Sequence, residues 1–275
     1  MGNYWSTTGT VQVEQEERLY SWKRDTASDK DVYHNFVIGK LHDAIKAIDL
    51  RDKFPPVYNQ GKLGSCTANG IAGVYEFDEM KENEEKVFVP SRLFIYYNER
   101  KANNTIGKDS GASIRDSVME IVNVGVCPES MWPYDITKYK DCPPQECYDD
   151  AVKHKCIEYK RVQQNLQQLK QCLMEGYPIV FGIEVYKSFE SPETTKTGVV
   201  TMPFAHEKHM GGHCVAIVGF NDDKKQFIFR NSWGPAFGEN GYGYLPFDYV
   251  LDPKLASDFW TVRKVQDDET DPNLN

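Results

Sequence analysis

The sequence contains no apolar stretch long enough to cross a membrane and no excess of positive charge. Its strongest apolar run, residues 177–183, is short and includes Pro178 and Gly182, whereas a membrane-spanning helix needs about 20 apolar residues. The 41 acidic residues outnumber the 32 lysines and arginines, which gives a formal net charge of −9. We therefore expect no nucleic-acid groove, because such grooves depend on a surplus of basic side chains.

The sequence also lacks the patterns of a secreted or disulfide-stabilised protein. No basic region followed by an apolar one opens the chain, and the seven cysteines are an odd number. These features predict reduced thiols and a cytoplasmic protein. The run Met1-Gly2-Asn3-Tyr4-Trp5-Ser6 fits the short pattern for N-myristoylation of Gly2, and one such chain would give at most weak, reversible membrane association.

What is present is the composition of a globular protein, with 40% hydrophobic and 13% aromatic residues among 275. A chain of this length can bury one large core or two moderate ones. Residues 1–47 are polar and irregular, residues 48–265 carry the periodic patterns, and residues 266–275 form an acidic tail. We predict an N-terminal extension, one domain and a loose tail.

Helical periodicity dominates the first half of the domain. One helix is expected from Ala68, and others should begin near residues 90–93 and 110–113, the last of these ending at Gly125. Residues 49–56 should be an extended lead-in because two prolines close them. Residues 130–159 lack a clear period and are expected to be loops, and a further helix should begin at Leu166.

Short β-type runs dominate the second half, with a hairpin turn expected at residues 221–223. The predicted strands are residues 179–186, 199–200, 213–220, 226–230 and 242–245. Helices first and strands second predict an α+β fold with two subdomains and a cleft between them. The mainly helical subdomain would span about 57–160, and the mainly β subdomain about 161–265.

One cysteine stands where a reactive thiol would be expected. Cys66 ends the glycine-rich turn Asn59-Gln60-Gly61-Lys62-Leu63-Gly64-Ser65 and directly precedes the helix predicted from Ala68. Free N–H groups and the macrodipole at a helix N-terminus favour a thiolate and lower the pKa of the thiol. On its own, the turn fits equally well a small residue closing a loop.

Two further motifs supply the partners that a catalytic thiol needs. His213 follows Gly211-Gly212 and leads an apolar run, and Asn231 opens Asn231-Ser232-Trp233-Gly234. Together with Gln60 and Cys66 they provide a nucleophile, a base, a group that orients the base and an oxyanion donor.

These motifs, in this order, resemble the papain family of cysteine peptidases, which includes the cathepsins. The resemblance spans roughly residues 48–263. It is strongest to the branch without signal peptides in bacteria and large DNA viruses, through the run Ser91-Arg92-Leu93-Phe94-Ile95-Tyr96-Tyr97. It implies a papain-like fold with a helical left subdomain, a β-barrel-like right subdomain and an active-site cleft between them. It also implies a cytoplasmic or virion-packaged peptidase.

The resemblance assigns roles to residues by their match to the family motifs. Cys66 would be the nucleophile, His213 the acid and base, and Asn231 the group that orients His213. Gln60 would hold the oxyanion, while Gly111, Gly212 and Trp233 would line the substrate site. It further implies endopeptidase action on protein or peptide substrates, with no cofactor and no metal, and we expect a monomer.

The sequence departs from the family pattern around the nucleophile. Thr67 follows Cys66 where an aromatic residue is usual, and Leu63 stands where many secreted relatives have a disulfide cysteine. Residues 1–47 are too few for the long helical prodomain of lysosomal relatives. They are either a short inhibitory segment that lies along the cleft, as in a zymogen, or a segment that packs on the back of the β subdomain.

Other interpretations stay open at this stage. A thiol acyltransferase or isopeptidase would use the same machinery, and an interaction module would use none of it. His206, His209, His213 and Cys214 could suggest a metal site. Cys142, Cys147, His154 and Cys156 look zinc-like but lack ligand spacing, and a disulfide between Cys142 and Cys147 is an alternative to free thiols.

Overall fold

A computed structural model describes residues 18–26, 28–33, 44–82 and 87–265. The helices are α1 (Cys66–Glu82), α2 (Arg92–Ala102), α3 (Ile114–Asn123), α4 (Gln145–Ala151), α5 (Leu166–Met174), α6 (Pro192–Thr197) and α7 (Phe247–Leu251). The strands are β1 (Ala47–Asp49), β2 (Cys156–Arg161), β3 (Ile179–Tyr186), β4 (His209–Asn221), β5 (Gln226–Arg230), β6 (Tyr242–Pro246) and β7 (Ala256–Val265). Short 3₁₀ helices lie at Arg51–Lys53, Ile136–Lys138 and Lys187–Glu190.

The helix α1 is the centre of the molecule. Its residues 66–78 are buried except for Gly70, and it packs against α2, α3, β4 and β7. A helix that is apolar on every side must lie inside a core rather than on a surface. Cys66 therefore stands at the N-terminal end of a helix that lies largely within the core.

The helices around α1 begin at side-chain caps that the sequence supplies. Ser91 caps α2 by accepting from the backbone N–H of Phe94 at 3.1 Å. Ser113 and Asp116 form a capping box at the start of α3. Each cap satisfies an N–H group that has no partner within the helix, so both helices begin close to where the sequence predicts.

The strands form one antiparallel sheet in the order β2-β7-β3-β4-β5-β6, and β1 pairs with β4. The two end strands of this order, β2 and β6, do not pair with each other within the described ranges, so the barrel-like subdomain is an open sheet. In its middle, His213 of β4 lies opposite Ile183 of β3. The α+β fold with a helical and a β part is as predicted.

Several local predictions are wrong. Residues 130–159 include α4 and the start of β2 as well as loops, because those elements are too short to show a period. The expected lead-in at 49–56 contains the 3₁₀ helix Arg51–Lys53. Val199 and Tyr244 form only an isolated bridge. The strand expected to begin at His213 begins at His209, and β7 was not predicted.

Other predictions are confirmed or lie outside the described residues. The hairpin turn after Asn221 joins β4 to β5, with Asn221 opposite Gln226. Gly2 and the tail 266–275 fall outside the described residues. In the described part of the chain, no helix has the length and apolar character that a membrane crossing requires.

Candidate active site

The turn before α1 holds Cys66 at the first position of the helix. Gly61 adopts φ +60°, which favours glycine, and Ser65 N–H donates to the Leu63 carbonyl at 2.8 Å. Cys66 is fully buried, and its N–H is among the four that begin a helix without an intrahelical acceptor. This geometry places the thiol where the helix favours negative charge.

Asp109 braces the same turn from outside. Both carboxylate oxygens of Asp109 accept from the Gly64 N–H, at 3.1 and 3.0 Å. The Tyr96 hydroxyl donates to Asp109 and accepts from the Gly111 N–H at 3.1 Å. The Asp109 carboxylate thus connects the turn before α1 to Gly111. Leu63, which lies in this turn, cannot form a disulfide there. No local pattern predicts this role, because Asp109 is 45 residues from Gly64.

His213 and Asn231 meet at the middle of the sheet. His213 lies within β4, Asn231 directly follows β5, and His213 Nε2 is 2.8 Å from Asn231 Oδ1. Because an amide oxygen only accepts, Nε2 carries the hydrogen and Nδ1 bears a lone pair in the neutral ring. Nδ1 is buried and has no hydrogen-bond partner among the described residues.

His213 and Cys66 belong to one enclosed site. The backbone of Cys214, next to His213, hydrogen-bonds to the Cys66 thiol. Trp233 stacks on the His213 ring, with 5.1 Å between centroids and 25° between planes. Phe189 and Phe237 pack edge-to-face on Trp233 at 5.4 and 5.3 Å. These rings exclude water from the bond between His213 and Asn231.

Gln60 is fixed by both ends of its amide. Its Oε1 accepts from the Ser232 hydroxyl at 2.6 Å, and its Nε2 donates to the Leu63 carbonyl at 3.0 Å. The second Nε2 hydrogen is not used by either bond, since an amide nitrogen has two. The backbone N–H of Gln60 donates to Ser232 O at 2.9 Å. The motif after Asn231 therefore also orients Gln60.

A stretch of the N-terminal extension, residues 18–25, lies across this site. The Trp22 N–H donates to Gly212 O and the Lys23 N–H to Ala112 O, both at 3.0 Å. The Ser21 hydroxyl donates to Gly64 O at 2.6 Å and is 3.9 Å from Cys66 Sγ. We refer to residues 18–25 as the covering segment. Its backbone joins the two sides of the cleft.

Aromatic and basic side chains of the covering segment fill the surface around the catalytic residues. Tyr20 contacts the rings of His213 and Trp233 edge-to-face, at 6.1 and 6.2 Å. The Arg18 guanidinium lies 3.7 Å from the centre of the Trp233 ring. The Trp22 indole is 5% exposed and packs on Gly182 and Gly212. A side chain on Gly182 would overlap this indole.

The predicted substrate-binding residues all contact the covering segment. Gly111 has φ +63°, and a Cβ there would overlap the carbonyl of Ser21. Gly212 accepts the Trp22 N–H, and Trp233 lies between Tyr20 and Arg18. The sequence analysis did not single out Ser21 or Trp22. The signal for their role was the pair of aromatic residues Tyr20 and Trp22, which flank Ser21 in an otherwise polar stretch.

Two buried ion-pair groups anchor the covering segment and the residues after it to the domain. Asp25 accepts from Trp260 Nε1 at 2.8 Å and from Arg161 at 3.2 Å, and its own N–H donates to Asp258 at 2.8 Å. Asp31 pairs with Arg115 and, at 3.1 Å, with Arg161. Such partly buried pairs hold position as well as charge.

Burial sets the charge of the catalytic pair in this covered arrangement. Desolvation raises the pKa of the Cys66 thiol and lowers that of His213 to about 4. Hydrogen bonds to Cys66 and the bond from His213 to Asn231 oppose these shifts, but burial has the larger effect. The covered pair is therefore a neutral thiol and a neutral imidazole near pH 7.

The residues considered for a metal have other partners. His209 Nε2 is 2.8 Å from Glu184, while His213 is held by Asn231. Within the described ranges, no three His, Cys, Asp or Glu side chains converge to hold an ion. Cys142 is exposed and Cys147 is buried against Cys127, so the disulfide between Cys142 and Cys147 is not formed here.

Comparisons with known proteins agree with this geometry. The family model for papain family cysteine proteases matches residues 44–249. An uncharacterized peptidase C1-like protein of Acanthamoeba polyphaga mimivirus is 44% identical over 247 residues, covering 87% of this chain and 78% of that protein. Cathepsin K of Mus musculus is 28% identical over 217 residues, covering 75% of this chain but only 60% of that protein.

Solved structures extend the agreement to the whole fold. Xylellain, a cysteine protease from Xylella fastidiosa, aligns with a TM-score of 0.82 at 37% identity, over 94% of this chain and 100% of that one. The resemblance to bacterial and viral peptidases that the sequence indicated is thereby confirmed. This chain belongs to the papain family of cysteine peptidases and is a papain-like hydrolase that acts on proteins or peptides.

Proposed function

We propose that the protein is a cysteine endopeptidase that works through a thiolate–imidazolium pair and an acyl-enzyme intermediate. The observation that carries this proposal is the bond from His213 Nε2 to Asn231, which leaves the buried Nδ1 without a hydrogen-bond partner among the described residues. With a substrate bound instead of the covering segment, Nδ1 takes the thiol proton. The pair becomes charged where a helix N-terminus supports the thiolate.

The reaction then follows from the positions of four groups. The Cys66 thiolate attacks the carbonyl carbon, and the carbonyl oxygen becomes an oxyanion held by the Cys66 N–H and the second Gln60 Nε2 hydrogen. His213 gives its proton to the leaving amine as the peptide C–N bond breaks, which leaves a thioester. His213 then removes a proton from water, and the resulting attack releases the acid and restores the thiol.

Replacing the proposed catalytic groups tests this mechanism. Cys66→Ala should abolish hydrolysis of a fluorogenic peptide, because no other group supplies the nucleophile. Gln60→Ala should reduce turnover by about 10²–10³ while binding changes little, since one oxyanion donor is lost. Gln164→Ala is the matched control, because Gln164 bonds to Val250 O and Ala256 O instead of to the site. Unchanged activity in Cys66→Ala would refute the mechanism.

We also infer that the covering segment restrains this activity, as part of an inhibitory extension within residues 1–47. It occupies the carbonyls of Gly212 and Ala112 and covers Cys66 and His213. Gln60 Nε2 donates to Leu63 O, and no carbonyl in the described part of the segment accepts a hydrogen bond from it. The segment therefore blocks the site without presenting a peptide bond that the Cys66 thiolate could attack.

Loosening the covering segment should raise activity on a small peptide. In the full chain, Trp22→Ala removes a buried indole, and truncating a buried aromatic costs about 3 kcal/mol, or roughly a hundredfold in the equilibrium between covered and open states. Turnover should rise until the open state dominates. The control is Leu19→Ala, since Leu19 is 45% exposed in the same segment. Equal turnover in Trp22→Ala and the wild type would contradict the inference.

Acidification should also uncover the site. The pKa of His213 is lowered to about 4 by burial in the covered state, while an exposed histidine titrates near 6.5. The contribution of His213 to the stability of the covered state is thus fully present above about pH 6.5. It is lost as the pH falls towards 4, because in this range only the open state binds the proton. The raised pKa of Asp25 acts in the opposite direction, because the covered state binds a proton there more tightly as the pH falls.

Fluorine NMR of protein labelled with fluorotryptophan measures this uncovering. The Trp22 resonance, assigned with Trp22→Phe, should move to a solvent-exposed position between pH 6.5 and 4. His213→Asn lacks the titrating group, so its Trp22 resonance should stay constant over that range. A wild-type resonance that does not change between pH 7 and 4 would contradict the linkage.

A further inference from the structure

Glu99, near the end of α2, is a fully buried carboxyl group without a charged partner. It has no exposed surface, and no cation of the described residues forms an ion pair with it. Its contacts are two hydroxyls: Thr67 Oγ1 lies 3.0 Å from Oε2, and Ser117 Oγ bonds to Oε1. A carboxylate with only two neutral donors is costly in a low-dielectric interior.

The geometry around Glu99 suits the neutral acid. Ser117 Oγ is also 3.4 Å from the carbonyl oxygen of Ser113. A protonated Oε1 can donate to Ser117 Oγ, whose own hydrogen then points to Ser113 O, while Thr67 donates to Oε2. When Glu99 carries a proton, every polar hydrogen in this series of hydrogen bonds has an acceptor. The ionised form would need both hydroxyls to turn towards the carboxylate.

The charges that surround Glu99 act mostly in the same direction. Burial, with Asp116 and Glu120 of α3, raises the pKa of Glu99 to about 8. The pKa of Glu120 is itself raised to about 7, by burial and by the charge of Asp116. The cations on α2 are Arg92, Arg100 and Lys101. The Arg92 guanidinium donates to Glu129, the Arg100 guanidinium donates to the carbonyls of Ile106, Lys108 and Tyr139 rather than to Glu99, and Lys101 Nζ lies 5.1 Å from the centre of the Tyr148 ring. A charged Glu99 would raise the pKa of the Cys66 thiol on α1 and of the Cys214 thiol on β4.

Glu99 is connected to the nucleophile through one residue. Its partner Thr67 directly follows Cys66 in the first turn of α1. Ionisation of Glu99 would place a negative charge behind the thiolate and raise the pKa of Cys66.

We propose that Glu99 is a positioning residue that carries a proton in the active enzyme, anchors Thr67 behind the nucleophile, and sets the alkaline limit of activity when it ionises. The proposal rests on the thiolate–imidazolium mechanism given above. Ionisation of Glu99 at alkaline pH then disfavours the thiolate, although Glu99 contacts neither the substrate nor the reacting atoms.

The test is the pH profile of kcat/KM for a fluorogenic peptide, measured in full-length protein with the activating change Trp22→Ala. Adding Glu99→Gln keeps the hydrogen bonds of the neutral acid but cannot ionise, so the alkaline limb should move up by about one pH unit or more. Glu76→Gln is the matched control, because Glu76 is a buried carboxyl whose pKa is also raised by burial but which accepts from Tyr58 instead of from Thr67. Its alkaline limb should stay in place.

A second variant and a direct readout protect the test against a folding defect in Glu99→Gln. Thr67→Val removes a hydroxyl that stabilises the charged form, so the alkaline limb should again move upward. Infrared spectra at neutral pH should contain the carbonyl stretch of a protonated acid that vanishes in Glu99→Gln. Unmoved limbs in both variants, a limb that moves only in Glu76→Gln, or no such band would overturn the proposal. An inactive Trp22→Ala parent would instead count against the proposed function.

Discussion

The hydrogen bond from His213 to Asn231 is the contact on which the site depends. It joins the middle of β4 to the end of β5 and is covered by Trp233. Because it engages Nε2, the other ring nitrogen is an acceptor, and it has no hydrogen-bond partner among the described residues. The sheet fixes both residues in register, and α1 brings its N-terminus against β4. The same interaction explains why Ser232, next to Asn231, can orient Gln60.

Water access is the second constraint, and the covering segment controls it. With Tyr20, Ser21 and Trp22 in place, Cys66 and His213 are fully buried and their neutral forms are favoured. We propose that removing the segment restores both the access of solvent and the charged pair of Cys66 and His213. The packing of the segment thus has two consequences: it blocks the site sterically, and it favours the neutral forms of Cys66 and His213. The ion pairs of Asp25 and Asp31 hold the segment in place.

The sequence predicted what local patterns encode. The helix after Cys66, the caps Ser91 and Ser113, and the strand β3 were recognisable because their signals lie within a few residues. Asp109, Glu99 and Trp22 were not, because each acts on a partner 30 or more residues away or through a surface that only the folded sheet creates. The short elements α4 and β2 were missed because they span too few residues to show a period.

The central claim is that the covering segment and a substrate compete for the same carbonyls of the cleft. Hydrogen–deuterium exchange of the full chain, free and after Cys66 is modified by a peptidyl vinyl sulfone, measures this directly. The account predicts that the Trp22 and Lys23 amides, which donate to Gly212 and Ala112, are protected in the free protein and exchange rapidly once Cys66 is labelled. Undiminished protection of both amides in the fully labelled protein would contradict it.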